Sequence, residues 1–333
     1  MKEVYPGIFV IVEKGVRNNI PPPANIYVLA GKDGLIYDAG YGRKKAVKKF
    51  LSEFKKIEDT FREKNIPFNI TRILPSHIHA DHISGLKKIR NSLKLAVMMT
   101  EGMSQVITSG KNYKKRYADH DIQDLFSCTY VSYPVIRRIV NIFYFALYRI
   151  FFGIEFISNP DEIVKDNGTI TVNGEKWKIF RSPGHCSYHI SLYNKKKGVL
   201  LGGDNILNSI TTWLGPPDSD LDDYENTLNK IKNLPNLKII LAGHGKAITK
   251  PAERIVQILK WRKKRSAQVL QIVSDSGHGI TVNKIIRELY RGSRSIRKNL
   301  SRGWVQLELL HLMKKNLVRR KAVLYKAFFY PVR

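Results

Sequence analysis

Apolar positions along this chain alternate between two rhythms. Short runs rich in β-branched and aromatic residues at 8–13, 25–31 and 34–38 read as strands. They are punctuated by Gly15, the triple proline Pro21–Pro23 and the turn Gly31–Gly34. Lys44–Phe54 has helical spacing instead, with Val47, Phe50, Leu51 and Phe54 on one face. Thr71–Leu74 reads as a buried strand ending at Pro75, and Gly85–Asn91 as a helix. Further strands are expected at Trp177–Arg181, Ile190–Tyr193, Val199–Leu201 and Leu237–Leu241. Strands alternating with helices predict an α/β fold.

Two stretches depart from this alternation. An inserted segment at about 101–165 ends in the aromatic run Ile139–Phe152, IVNIFYFALYRIFF, which is too short to cross a bilayer. A helix buried against the main body is the expected reading. A cap over an apolar substrate pocket and an interfacial helix are the alternatives. The tail predicts helices at Trp261–Ser274, Thr281–Tyr290 and Asn299–Lys315, then a two-stranded ribbon within Leu317–Tyr330. That is a winged-helix pattern. The expected division is a catalytic domain over 1–255 and a basic winged-helix-like domain over 256–333.

Chemistry enters at the strand ends. SHIHADHISG, at Ser76–Gly85, puts His77, His79, Asp81 and His82 within six residues, directly after a strand. Such a cluster suits a divalent cation. Three later strands each run into one more candidate: His185 in SPGHCSYH, Asp204 after GG, and His244 in AGHG. The seven sort into two adjacent sites. His77, His79 and His185 would hold one ion, Asp81, His82 and His244 the other, and Asp204 would bridge them. Two divalent cations so placed would share a hydroxide able to attack without a side-chain nucleophile. Zinc is the expected metal, although His/Asp donors also accept iron or manganese. Asp81 is expected to orient the hydroxide; His189 either protonates a leaving group or binds phosphate, or is a structural histidine behind the ligands. Cys186 is expected to be a small buried residue.

The order HxHxDH, GH, GGD and GHG resembles the metallo-β-lactamase superfamily over residues 1–255. The resemblance implies a four-layer αβ/βα sandwich with metals at one edge, and gives Asp38, in IYDAG, a structural role under the ligand loop. The flavodiiron enzymes of this fold carry Glu where this chain has His79, which favours hydrolysis over oxygen reduction. Glyoxalase II enzymes often show a THHH pattern that is absent here. SPGH with His189 four residues on, and GHGKAITKPAER leading into a basic helix, are most similar to the beta-lactamase-like-2 group. That similarity implies an endoribonuclease acting on single-stranded RNA. The longer stretch from His82 to His185 departs from that group and would remodel the substrate entrance.

Charge sharpens the partner question. The chain carries 57 basic and 28 acidic residues, a formal net charge of +29. From Val256 onward there are 19 basic and 3 acidic residues, leaving 38 and 25 in the first 255. A balance of +16 in the short tail against +13 in the body points to single-stranded RNA or another polyanion as partner. Arg291, Arg294, Arg297, Lys298 and Arg302, with Arg319, Arg320 and Lys321 on the ribbon, are the candidate phosphate contacts. A solvated basic face, or a dimerisation module giving a homodimer, stays open. The main alternative substrate is a small thioester, lactone or ester held against the aromatic run. A protein that binds nucleic acid through the tail, with a vestigial metal site, is the third. Cys128 and Cys186 form no C-x-x-C framework, and Ile8–Val12 is too short for a signal-peptide core. The expected setting is therefore cytoplasmic, with no transmembrane span.

Overall fold

The computed structural model describes residues 1–14, 22–117, 145–147, 149–209, 211–292, 301–323 and 326–332. Cys128, Arg294, Arg297, Lys298 and half of the Ile139–Phe152 run, positions 139–144 and 148, lie outside the described residues.

Two sheets form the centre. The first has seven strands in sequence order: β1 (Lys2–Tyr5), β2 (Ile8–Glu13), β3 (Ala24–Leu29), β4 (Gly34–Tyr37), β5 (Ile70–Leu74), β6 (Ala96–Thr100) and β7 (Glu162–Val164). Its first four strands are antiparallel and the rest parallel. The second has the order β12-β11-β10-β9-β8, from β8 (Thr169–Val172), β9 (Glu175–Arg181), β10 (Ile190–Asn194), β11 (Val199–Gly203) and β12 (Ile239–Ala242). Only β11 and β12 run parallel there.

Side-chain alternation explains the layering. On β10 and β11, Leu192, Val199 and Leu201 face the core between the sheets, while Tyr193 and Leu200 face outward. The outward set is buried as well, beneath α6 (Leu221–Lys232) and α7 (Pro251–Asp275). The first sheet is covered by α1 (Lys44–Glu63) and α3 (Leu86–Leu93), through Val47, Phe50, Phe54, Leu86 and Ile89. The result is the α/β four-layer sandwich. α1 runs nine residues past its expected end because Ile57 and Phe61 continue the apolar stripe. Lys55 pairs with Glu58 and Asp59 along its wet face, a modest gain.

Several elements went unread in the sequence, among them β6, β7, β8 and α6. β1 precedes the strand expected to be first, and with only Val4 and Tyr5 partly buried it is too short to show an alternation. α4 (Glu101–Ile107) and α5 (Gly110–Tyr117) occupy the start of the inserted segment. α5 is Lys- and Arg-rich, so it lacks a readable stripe.

The tail forms α8 (Val282–Leu289), α9 (Arg302–Lys314) and an antiparallel ribbon of β13 (Val318–Val323) and β14 (Lys326–Pro331). Val269, Ile285, Val305, Leu309 and Phe329 give it a core of its own. The boundary expected at 255/256 falls inside the continuous helix α7. Leu307 of α9 also packs into the cluster of Ile255, Ile258 and Tyr224, so the tail adheres to the sandwich. Among the described residues no helix is long and apolar enough to cross a membrane.

Candidate metal centre

Four strand ends supply the polar residues. The loop after β5 leads into the single turn α2 (Ala80–Ile83) and carries His77, His79, Asp81 and His82. His185 follows β9, Asp204 follows β11, and His244 follows β12. Loops anchored by strands hold geometry tightly. Within each of three sets the candidate ligand atoms lie within 4.8 Å of one another: His77/His79/His185, Asp81/His82/His244, and His77/His82/Asp204. Asp204 is the member that faces both sides. Its Oδ2 is 3.1 Å from His244 Nε2 and 3.8 Å from His185 Nε2, and its Oδ1 is 3.4 Å from His82 Nε2.

Each histidine commits one ring nitrogen to the protein and aims the other inward. His77 Nδ1 meets Ser76 Oγ at 2.9 Å, and His82 Nδ1 meets Asp38 Oδ2 at 2.9 Å. His185 Nδ1 meets the Trp213 carbonyl at 2.7 Å, and His244 Nδ1 the Pro23 carbonyl at 2.6 Å. His79 reverses the pattern, with Nδ1 toward His77 Nε2 at 3.0 Å and Nε2 on Asp218 at 3.2 Å. Outward bonds of this kind fix tautomer and ring angle. Asp38 is the keystone of the first loop. It also accepts from Ser76 N at 2.6 Å and Ser76 Oγ at 3.0 Å, from a left-handed backbone position that Asp tolerates.

The inward atoms are short of partners. His82 Nε2, His185 Nε2 and Asp204 Oδ1 are buried without a hydrogen bond. Such orphans are costly unless something else satisfies them. Five imidazoles and two carboxylates with inward lone pairs are the donor set for divalent cations, so the residues present fit metal ions.

Protonation divides the cluster. Burial and the neighbouring histidines push His77 well below its ordinary value, and burial takes His185 down to about 4. Burial opposes charge on His82 and His244 too, yet nearby carboxylates win. His82 sits well above its ordinary value beside Asp38, Asp204 and Asp81, and Asp204 and Asp81 raise His244 to about 10. The same pairings overcome burial to hold Asp81 and Asp204 low. Without metal, protons on His82 and His244 neutralise the carboxylates. A cation entering there must displace them, so affinity rises with pH.

A family model described as the metallo-beta-lactamase superfamily matches residues 19–244. The chain belongs to that superfamily. His and Asp residues are positioned in it to bind metal ions. A beta-lactamase-like protein 2 homolog of Caenorhabditis elegans is 31% identical over 155 residues, 46% of this chain and 50% of that protein. The acyl-coenzyme A thioesterase MBLAC2 of Bos taurus is 23% identical over 248 residues, 73% of this chain and 80% of that protein. The matches to the C. elegans protein, the probable metallo-hydrolase YqjP of Bacillus subtilis and the Drosophila melanogaster beta-lactamase-like protein 2 homolog span only 50%, 38% and 41% of their lengths. The metallo-beta-lactamase family protein TTHA1429 from Thermus thermophilus superposes with a TM-score of 0.72 at 18% identity, over 99% of this chain and all of that one. That likeness shows the superfamily's fold carried through the tail helices and ribbon.

All seven expected ligands of this metallo-β-lactamase site converge. His189 sits among them but is engaged elsewhere. Its Nε2 accepts the Asp204 amide at 3.1 Å, and its Nδ1 meets Ser182 Oγ at 2.8 Å and Asn205 Nδ2 at 3.0 Å. With the ring fully buried, neither nitrogen faces the opening. Cys186 is fully buried. Four contributors carried no sequence signal. Asp218 buries its carboxylate against His79, Arg116 pairs with Asp218, Thr212 Oγ1 lies 3.2 Å from His185 Nδ1, and the half-exposed Trp213 ring stands edge-on to His79 at 6.3 Å.

Proposed function

We propose that this superfamily member is a dinuclear hydrolase whose natural ions are zinc, acting on phosphodiesters of single-stranded RNA. The observation that supports two ions is Asp204, one buried carboxylate within 3.8 Å of histidines of both triads. When bound, divalent cations would supply a water acidic enough to ionise near neutral pH and a clamp for developing negative charge. The remaining work falls to the chain. Asp81 is the ligand-cluster carboxylate that keeps some exposure, and its Oδ2 lies 3.3 Å from His244 Nε2. It accepts a hydrogen bond from the attacking water and so aims its lone pair. His189 takes the structural one of its two expected roles: through the Asp204 amide it holds the loop that presents the bridging carboxylate. The RNA reading draws on the +29 charge and on a tail whose three helices and ribbon suit a winged-helix module. Arg319 and Lys321 are exposed on that ribbon.

One observation favours a second reading, an acyl thioester. The described end of the aromatic run exposes Leu147, Ile150 and Phe151, and Phe151 lies by Arg43, close to Tyr41 in the loop after β4. The relative MBLAC2 is named an acyl-coenzyme A thioesterase. The test presents zinc-loaded protein with a labelled unstructured RNA and with acyl-coenzyme A, each with Asp81→Asn as control. RNA cleavage that EDTA abolishes and salt weakens is expected. Thioester turnover alone, dependent on Asp81, would replace the RNA reading. Full activity in Asp81→Asn would overturn the role of Asp81.

A further inference from the structure

The inward side of His79 belongs to the ligand cluster, while its outward side belongs to a separate assembly. Nε2 stands 3.2 Å from Oδ2 of Asp218, a buried carboxylate. The other oxygen of Asp218 receives Arg116, with Nη2 at 2.8 Å and Nε at 3.1 Å. Arg116 Nη2 also donates to Ser187 Oγ at 2.6 Å, and Ser187 Oγ donates to the Asp218 carbonyl at 3.2 Å. The guanidinium lies over the Tyr188 ring, 5.4 Å from its centroid. Tyr188 in turn packs against α4 so closely that a Cβ at Gly102 would sit 2.4 Å from the ring. Three distant stretches therefore meet behind one imidazole: the inserted segment, the SPGHCSYH loop and the loop before α6.

We propose that Asp218 and Arg116 are positioning residues for His79, an inference that rests on the metal-centre reading above. Asp218 accepts the Nε2 proton, which leaves the Nδ1 lone pair directed at His77 and His185. Arg116 holds Asp218 in place from α5, so the inserted segment bears on the metal centre through this pair. Three groups, His79, Cys186 and Asp218, also cluster within 4.8 Å. A cation there would compete with the guanidinium already seated on the carboxylate, so the arrangement serves orientation.

The test follows ring protonation and metal affinity, not turnover alone. In 15N-labelled metal-free protein, long-range 1H–15N correlations report which nitrogen of each histidine is protonated, and His79→Gln identifies the His79 signals. The expected result is a proton on Nε2 of His79 in the wild type, and a mixture of tautomers in Asp218→Asn and Arg116→Gln. Zinc titrated against a chromophoric chelator should show one site weakened about 10–100-fold in both variants and the other unchanged. Arg116→Lys should restore most of the affinity. A wild-type proton on Nδ1, two unchanged zinc affinities, or an equal fall at both sites would overturn the proposal. If the wild type binds no zinc, the metal-centre reading fails, and the ring-proton measurement still decides the role of Asp218.

Discussion

A single methyl group added at Gly243 should disable the centre. An ideal Cβ there would lie 2.1 Å from Asp204 Oδ1 and 2.9 Å from His82 Cε1, against the shared carboxylate and one ring of the second triad. The backbone cannot retreat. Gly243 N donates to the Gly203 carbonyl at 2.7 Å, and its own carbonyl accepts from Asn25 N at 2.8 Å. The preceding Ala242 carbonyl accepts from Asn25 Nδ2 at 2.8 Å and Tyr27 Oη at 2.7 Å. The carboxylate must move instead. Ordinary contact begins near 3.4 Å, so Asp204 Oδ1 has to shift by about 1.3 Å. A misplacement of that size costs roughly a hundredfold in rate, about 2.7 kcal/mol. Overpacking adds about 1–3 kcal/mol of destabilisation. Metal content of purified Gly243→Ala, measured by plasma emission beside its melting temperature and turnover, checks this. A folded variant with wild-type metal content and rate would refute the reasoning that Gly243 exists to admit the Asp204 carboxylate.

Two further outcomes follow. Glu13 is buried beside the loop after β4, with Oε2 accepting the Tyr41 amide at 2.6 Å and Oε1 without a partner. Burial raises its carboxyl from 4.5 to about 7, against the lowering effects of the Tyr41 amide, Lys49 and Arg43. A raised acid favours folding while it is protonated. Its contribution is therefore full below pH 4.5 and lost as pH rises through about 7. The stability gap between Glu13→Gln and the wild type should move by on the order of 3 kcal/mol in the variant's favour from pH 4 to pH 8. A gap that stays constant in denaturant titrations would count against it. Trp213 presents a half-exposed indole beside His79, while only its carbonyl holds His185. Trp213→Ala should leave metal content intact and raise KM roughly tenfold through lost stacking on substrate. Lost metal, or an unchanged KM, would show that the indole does not contact substrate.

The candidate ligands and the alternation that carries them are readable along the chain. His77, His79, Asp81 and His82 lie so close along the chain that almost any loop brings them together. His185, Asp204 and His244 each follow an apolar run readable as a strand, which placed them at one end of a sheet. Asp38 was legible through its motif. Hydrophobic period also fixed the approximate extents of α3, α8, α9 and the ribbon. Only the tertiary structure decided what stands behind those ligands. Arg116 and Asp218 are 102 residues apart in the chain, and each is ordinary in its local sequence. The same holds for Thr212 and Trp213. A local pattern reports which face of an element is apolar, because that is set by backbone period. It does not report which polar group meets which across two sheets, because that depends on how the layers pack. His189 shows the difference: its chemistry permits a proton donor, and packing instead occupies both of its ring nitrogens.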